Sequence, residues 1–164
     1  MNLAKEVGHK ELATLLAAAA ASPRRRANLN LHPALADPIQ RFFNCLEPGT
    51  FVRPHRHAPG RWELFVLIQG KAGVLLFSPG GAISQRVLLA PSASLAVEIP
   101  GGVFHTLVAL APATLLFEVK PGPYEAGSDK EFAPWAPHET LKDATARCVA
   151  VWEQEFKGAY GLPP

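Results

Sequence analysis

Four residues decide what chemistry this chain can do. His55 and His57 lie two apart, Glu63 heads an apolar run that stops at Gly70, and His105 follows Pro100-Gly-Gly-Val-Phe. In a β-strand, side chains two apart point to the same face. His55 and His57 can therefore aim two imidazoles at one point, and Glu63 can reach that point from the next strand. Two histidines and a carboxylate suit non-haem iron, manganese, nickel or zinc. His105, on another turn that runs into a strand, offers a third imidazole. The pattern reads as a mononuclear metal site inside a β-barrel.

The elements that must position these residues are short. From Ile39 onward, apolar runs alternate with Pro/Gly turns: Gln40–Leu46, Thr50–His57, Trp62–Gln69, Ala72–Phe77, Ile83–Leu89, Ser94–Ile99, Val103–Leu110 and Thr114–Lys120. Roughly eight strands at such spacing signal a sandwich or barrel. Before them, Leu3 to Ala21 is rich in strong helix formers, with Leu3, Val7, Leu12, Leu15 and Leu16 near helical spacing. Ser22-Pro23 ends that helix, because the residue before proline avoids the helical region. Arg24 to Pro38 reads as an irregular arm. Pro121 to Pro137 reads as an aromatic-bearing loop laid against the barrel, and Ala144 to Lys157 as a second helix that packs through Val149, Val151, Trp152 and Phe156.

Composition narrows the function classes. The 164 residues carry a net charge of +2, which gives no argument for nucleic acid, and the cluster Arg24-Arg25-Arg26 is short. Sixteen prolines and thirteen glycines in so apolar a chain mark turns between strands. The two cysteines, Cys45 and Cys148, are far apart and fit free thiols in a reducing compartment. No apolar run approaches the roughly 20 residues of a membrane span. Leu12 to Ala21 has the texture of a signal-peptide core, but Glu6 and Glu11 precede it where positive charge belongs. The expectation is a cytoplasmic protein with no membrane partner.

The spacing of Gly49, His55, His57, Glu63 and Gly70 resembles the first motif of the cupin superfamily, and Pro100, Gly102 and His105 resemble the core of its second. The resemblance implies an all-β fold, a single small cupin (double-stranded β-helix, or jelly-roll barrel) with an N-terminal and a C-terminal helix. It divides the chain into a helix and arm over 1–38, the barrel over 39–120, and a loop and helix packed on the barrel over 121–164. It also implies one divalent transition metal (Fe, Mn, Ni or Zn) held by His55, His57, Glu63 and His105. The loop between His57 and Glu63 is longer than is usual in that family, and Ala109 and Ser94 stand where it commonly has Asn and Gly.

A finer likeness runs from Ser22 to Glu139. Ser22-Pro-Arg-Arg-Arg26, Gln40-Arg41, Trp62-Glu-Leu64, Glu118 to Tyr124 and Phe132 to Pro137 resemble the WbuC-type cupin-fold metalloproteins. Proteins of that type tend to be encoded among genes for bacterial surface-polysaccharide synthesis.

Around the ligands, Phe51, Arg53, His55 and His57 share one face by the two-residue period, as do Glu63, Phe65, Leu67 and Gln69. Arg53 is placed to pair with a carboxylate or phosphate. Arg24, in the basic run, and Trp62 are the next candidates for substrate binding, for an anion and a sugar ring respectively. Glu118 and Lys120 share a face of the last strand, and Lys120 joins the pocket if that face points inward. Arg56, Arg61, His9, His32 and His138 read as surface or packing residues.

Three functions fit these residues. The first is a metal-dependent enzyme, an isomerase, epimerase or dioxygenase, acting on a small sugar or sugar derivative, with an anionic sugar as the candidate ligand. The second is a non-catalytic metal- or sugar-binding sensor. The third is a metal-free nucleotide-sugar epimerase with a barrel histidine as base. It needs a tyrosine across the pocket, and Tyr124 and Tyr160 both fall outside the expected strands. Exposed sheet edges call for cover, so a homodimer is expected.

Overall fold

The computed structural model describes residues 4–161. Helix α1 spans His9–Ala21 and α2 spans Lys142–Tyr160. Between them run β1 (Arg26–Asn30), β2 (Ile39–Leu46), β3 (His55–Arg56), β4 (Glu63–Gln69), β5 (Ala72–Phe77), β6 (Ile83–Leu89), β7 (Ala96–Ile99), β8 (Phe104–Ala109), β9 (Thr114–Pro121) and β10 (Glu131–Phe132). They form two five-stranded antiparallel sheets, β1-β2-β9-β4-β7 and β10-β3-β8-β5-β6. This is the expected jelly-roll barrel with a helix on each side.

Alternation along the strands builds the interior. In β4 the buried residues are Glu63, Phe65 and Leu67. In β9 they include Leu116, Glu118 and Lys120, which settles the last strand: Glu118 and Lys120 point inward. Between the sheets, Leu46, Phe65, Leu67, Val74, Leu107 and Leu116 pack as one apolar cluster. Each such side chain stabilises the fold by roughly 1.5–3 kcal/mol when fully buried.

The helices cover the outer faces. Leu15 and Ala19 of α1 pack on Cys45 and Leu115, with Leu12 and Leu16 at the margin. Leu3 lies outside the described residues, and Val7 precedes the helix. Val149, Trp152 and Phe156 of α2 pack on Leu75, Phe77 and Val108 of the other sheet, while Val151 stays exposed. Gly73 makes room for α2, since a Cβ there would collide with the Phe156 ring.

Four expectations need correction. The arm after α1 is not irregular throughout: β1 pairs with β2 from Arg26↔Leu46 to Asn30↔Phe42. Its alternation is real, with Ala27 and Leu29 against α1 and Arg26, Asn28 and Asn30 lining a cavity. The run Thr50–His57 forms only the two-residue β3, because Pro54 has no N–H to give a ladder. Gln69 leaves the inward face, because the register with β9 shifts between Leu67 and Gln69. Its amide donates to the Ala113 carbonyl instead. Finally, the loop after β9 contributes β10, which pairs Phe132 with His55 and Glu131 with Arg56.

Candidate metal centre

His55 is brought to His105 by the β3–β8 pairing. His57 lies just past β3, and the carbonyl of His57 accepts the N–H of Gly102 at 2.8 Å. The Pro100-Gly-Gly turn can come this close because Gly101 has no side chain; a Cβ would strike the Ala58 carbonyl. Glu63 opens β4, opposite Ile99. One ligand atom from each of His55, His57, Glu63 and His105 lies within 4.8 Å of all the others, and all four residues are buried.

The hydrogen bonds fix which ring nitrogens face inward. Nδ1 of His55 lies 2.9 Å from the Arg53 carbonyl, that of His57 2.6 Å from the Asp129 carbonyl, and that of His105 2.9 Å from the Val103 carbonyl. A carbonyl only accepts, so every Nδ1 is a donor. In a neutral ring, each inward Nε2 is then a bare acceptor. Nε2 of His55 and of His57 are buried with no hydrogen-bond partner. Nε2 of His105 and His57 face the Glu63 oxygens at 2.8 and 3.4 Å. Acceptors this close repel one another unless a cation, whether a proton or a metal ion, sits among them. The donor set fits a transition metal, and orientation of metal-binding imidazoles through Nδ1 is the usual second-layer arrangement.

The charges around the group reinforce this. Burial would push the Glu63 carboxyl up, but the proximity of His105, His57 and Glu118 outweighs it and holds Glu63 well below the ordinary range. Burial, followed by the adjacent Glu63 charge, pushes Glu118 well above it. Asn44 donates to Oε2 of Glu118 at 3.1 Å. Burial, with the Lys130 and His105 charges, keeps His55 far below its ordinary value and therefore neutral, as a ligand must be. Burial also opposes the charge on Lys120, but Glu63, Glu118 and Asp129 together raise its pKa. Its ammonium lies 2.9 Å from Asp129 and 4.0 Å from Glu63.

The substrate candidates divide. Lys120 and Arg24 both line a cavity of about 370 Å³ that also borders Glu118 and Tyr124. Arg53 does not reach it. The Arg53 guanidinium instead lies 4.8 Å from the centre of the Phe132 ring and donates to the Ala136 carbonyl. Trp62 is half-buried and does not border this cavity. Sequence reasoning missed Asp129, whose carbonyl orients His57 and whose carboxylate holds Lys120. It also missed Asn44, Glu118 as Glu63's partner, and Lys130 on the cavity wall. Alternation along β2 and β9 was the available signal for Asn44 and Glu118; none existed for Asp129, which sits in a loop.

No curated protein matches the chain. Solved structures share its fold. An oxalate oxidase in complex with the substrate analogue glycolate aligns with a TM-score of 0.53 at 17% identity, over 84% of this chain and 75% of that one. KdgF from Halomonas sp. aligns with a TM-score of 0.50 at 19% identity, over 65% of this chain and 86% of that one. Identities this low speak for the fold alone, and these are cupin-fold proteins. The family model described as "Domain of unknown function (DUF6016)" matches residues 7–89. That span takes in His55, His57 and Glu63 and stops before His105. The chain is a cupin-fold protein that could bind a metal through a buried His/Glu cluster, and it belongs to the DUF6016 family.

Proposed function

We propose that His55, His57, Glu63 and His105 hold one divalent transition metal ion, and that the protein is an enzyme acting on a small sugar or sugar derivative. The observation that carries this reading is the set of three Nδ1–carbonyl bonds, which turn three acceptor nitrogens toward one buried carboxylate. A bound metal would supply Lewis acidity, or a site for oxygen if it is iron. The chain itself contributes a small cavity bordered by Glu118 and Lys120, a Glu118 carboxyl raised by burial that can hold or give up a proton, and the Lys120 ammonium. Isomerisation, epimerisation and oxygenation are all within reach of these groups. The WbuC-like stretches favour a role in bacterial surface-polysaccharide metabolism, the free cysteines favour a cytoplasmic setting, and a homodimer would cover the sheet edges. A sensor that binds the same metal without turnover shares every ligand.

Metal content by elemental mass spectrometry, on native protein and on His105→Ala, tests the reading. One equivalent of iron, manganese, nickel or zinc in native protein, lost in the variant, is the expected result. Well-folded protein that takes up no metal on reconstitution would sink it.

One observation keeps the metal-free epimerase in view. Tyr124, though outside the strands, borders the cavity, and His105 and Glu63 form a close pair at 2.8 Å. That reading gains if metal is absent and activity depends on Tyr124.

A further inference from the structure

The cavity of about 370 Å³, which is connected to the four candidate ligands through Glu118 and Lys120 and is not lined by the four themselves, is walled by Arg24, Arg26, Lys120 and Lys130, against the single carboxyl of Glu118. Three of these cations are already engaged. Arg24 and Arg26 meet on one oxygen of Glu139 at 3.1 and 2.8 Å, and Lys120 meets Asp129 at 2.9 Å. Among the described residues, Lys130 is the cation on this wall with no ion pair. It is half-buried, and its charge is felt at both His55 and Glu118.

Its backbone is held in place on both sides. Asp129, just before it, is fixed by His57 and Lys120. Glu131, just after it, pairs with Arg56 through two hydrogen bonds of 2.8 Å. An ammonium on a fixed segment of the cavity wall, with no carboxylate in ion-pair reach, is placed to meet a negative charge that a ligand brings. The amides of Asn28 and Asn30 on the same wall offer neutral hydrogen bonds. Pockets for small molecules run from roughly 300 to 1,000 Å³, so this one suits a molecule about the size of one sugar ring.

We propose that the cavity takes a small anionic ligand, a carboxylate or phosphate of about one ring in size, whose anionic group pairs with Lys130. This rests on the reading that the cavity serves the metal centre.

Isothermal titration calorimetry on metal-reconstituted protein tests it with three probes of matched ring: glucuronate, glucose 6-phosphate and glucose. At least one acid should bind in the millimolar range or tighter, while glucose should not. Which acid binds separates a carboxylate source from a phosphate source. Lys130→Gln should weaken that binding about tenfold or more, the scale of one charge-assisted hydrogen bond, and Lys130→Arg should retain most of it. Glucose binding as well as the acids, an unchanged affinity in Lys130→Gln, or no binding of either acid would each overturn the proposal. Metal content measured on the same samples keeps the two ideas apart. Metal present without acid binding defeats the anionic ligand alone, whereas Lys130-dependent acid binding without metal defeats the metal centre alone.

Discussion

The inside of this barrel has two layers built from the same strands. β4 gives Glu63 to one layer and Leu67 to the other; β8 gives His105 and then Leu107; β9 gives Leu116 and then Glu118 and Lys120. The cross-strand register sets Leu67 opposite Leu116 within the apolar layer and Phe65 opposite Glu118 where the two layers meet. In the apolar layer every side chain adds to stability by leaving water. In the polar layer burial works against each charge, and the groups stay only because each finds a partner. Two-residue periodicity therefore decides which side chains go inside, whereas position along the strand decides what they do there.

The two layers should fail differently. His105→Ala should take metal content from one equivalent to near zero, read by elemental analysis, while circular dichroism still shows a folded β-protein. Loss of the fold together with the metal would mean that the layers are not separable. Lys120→Met should destabilise the protein by about 3–5 kcal/mol in urea unfolding, because it leaves Asp129 buried without its cation. A cost below ~1 kcal/mol would show that the polar layer is better hydrated than the geometry implies.

In the apolar layer, Leu116→Ala should cost about 2–5 kcal/mol from lost burial and the cavity left behind. Metal bound per folded molecule should not change. A fall in that ratio would couple the layers through β9. Outside both layers, Gly73→Ala should cost about 1–3 kcal/mol by pressing a methyl group into the Phe156 ring, again with metal retained.

The smallest effect belongs to Glu139, which holds the cavity-wall cations Arg24 and Arg26. Burial raises its carboxyl, but Arg26 and then Arg24 outweigh this and hold it below the ordinary value. A lowered folded pKa gives stability that is present above the unfolded value and lost as pH falls through the folded one. The difference in melting temperature between native protein and Glu139→Gln should therefore be small near neutrality and vanish in acid. A difference that persists below the carboxylate range would mean that the ion pairs are not its source. Since Glu139 is partly exposed and its pairs are screened by water, the effect should also shrink with salt.

Much of the fold was legible because its signals are local. Pro/Gly turns between short apolar runs marked the barrel strands. The four clustered residues stood out through residue type and spacing, and alternation placed Glu63 on the inner face of β4. What failed depended on context. Arg53 was assigned to the ligand face on a strand that Pro54 does not allow to form. Gln69 was carried out of the interior by a bulge. β1 was hidden because its cavity-facing residues are polar, Arg26, Asn28 and Asn30, so it lacks the apolar run that announces a strand.

By itself, then, the sequence determined the barrel, its flanking helices and the identity of the four clustered side chains, because turn chemistry, periodicity and residue type act over a few neighbours. Only the tertiary structure decided that the three Nδ1 atoms are tied to carbonyls, one of them from Asp129 some seventy residues beyond His57. Only it decided that burial and the Glu63 charge together raise the Glu118 carboxyl, and that Lys130 stands on the cavity wall without a carboxylate in ion-pair reach. Those properties arise where distant segments meet in a space that excludes water, and no local pattern encodes which charges will find partners there.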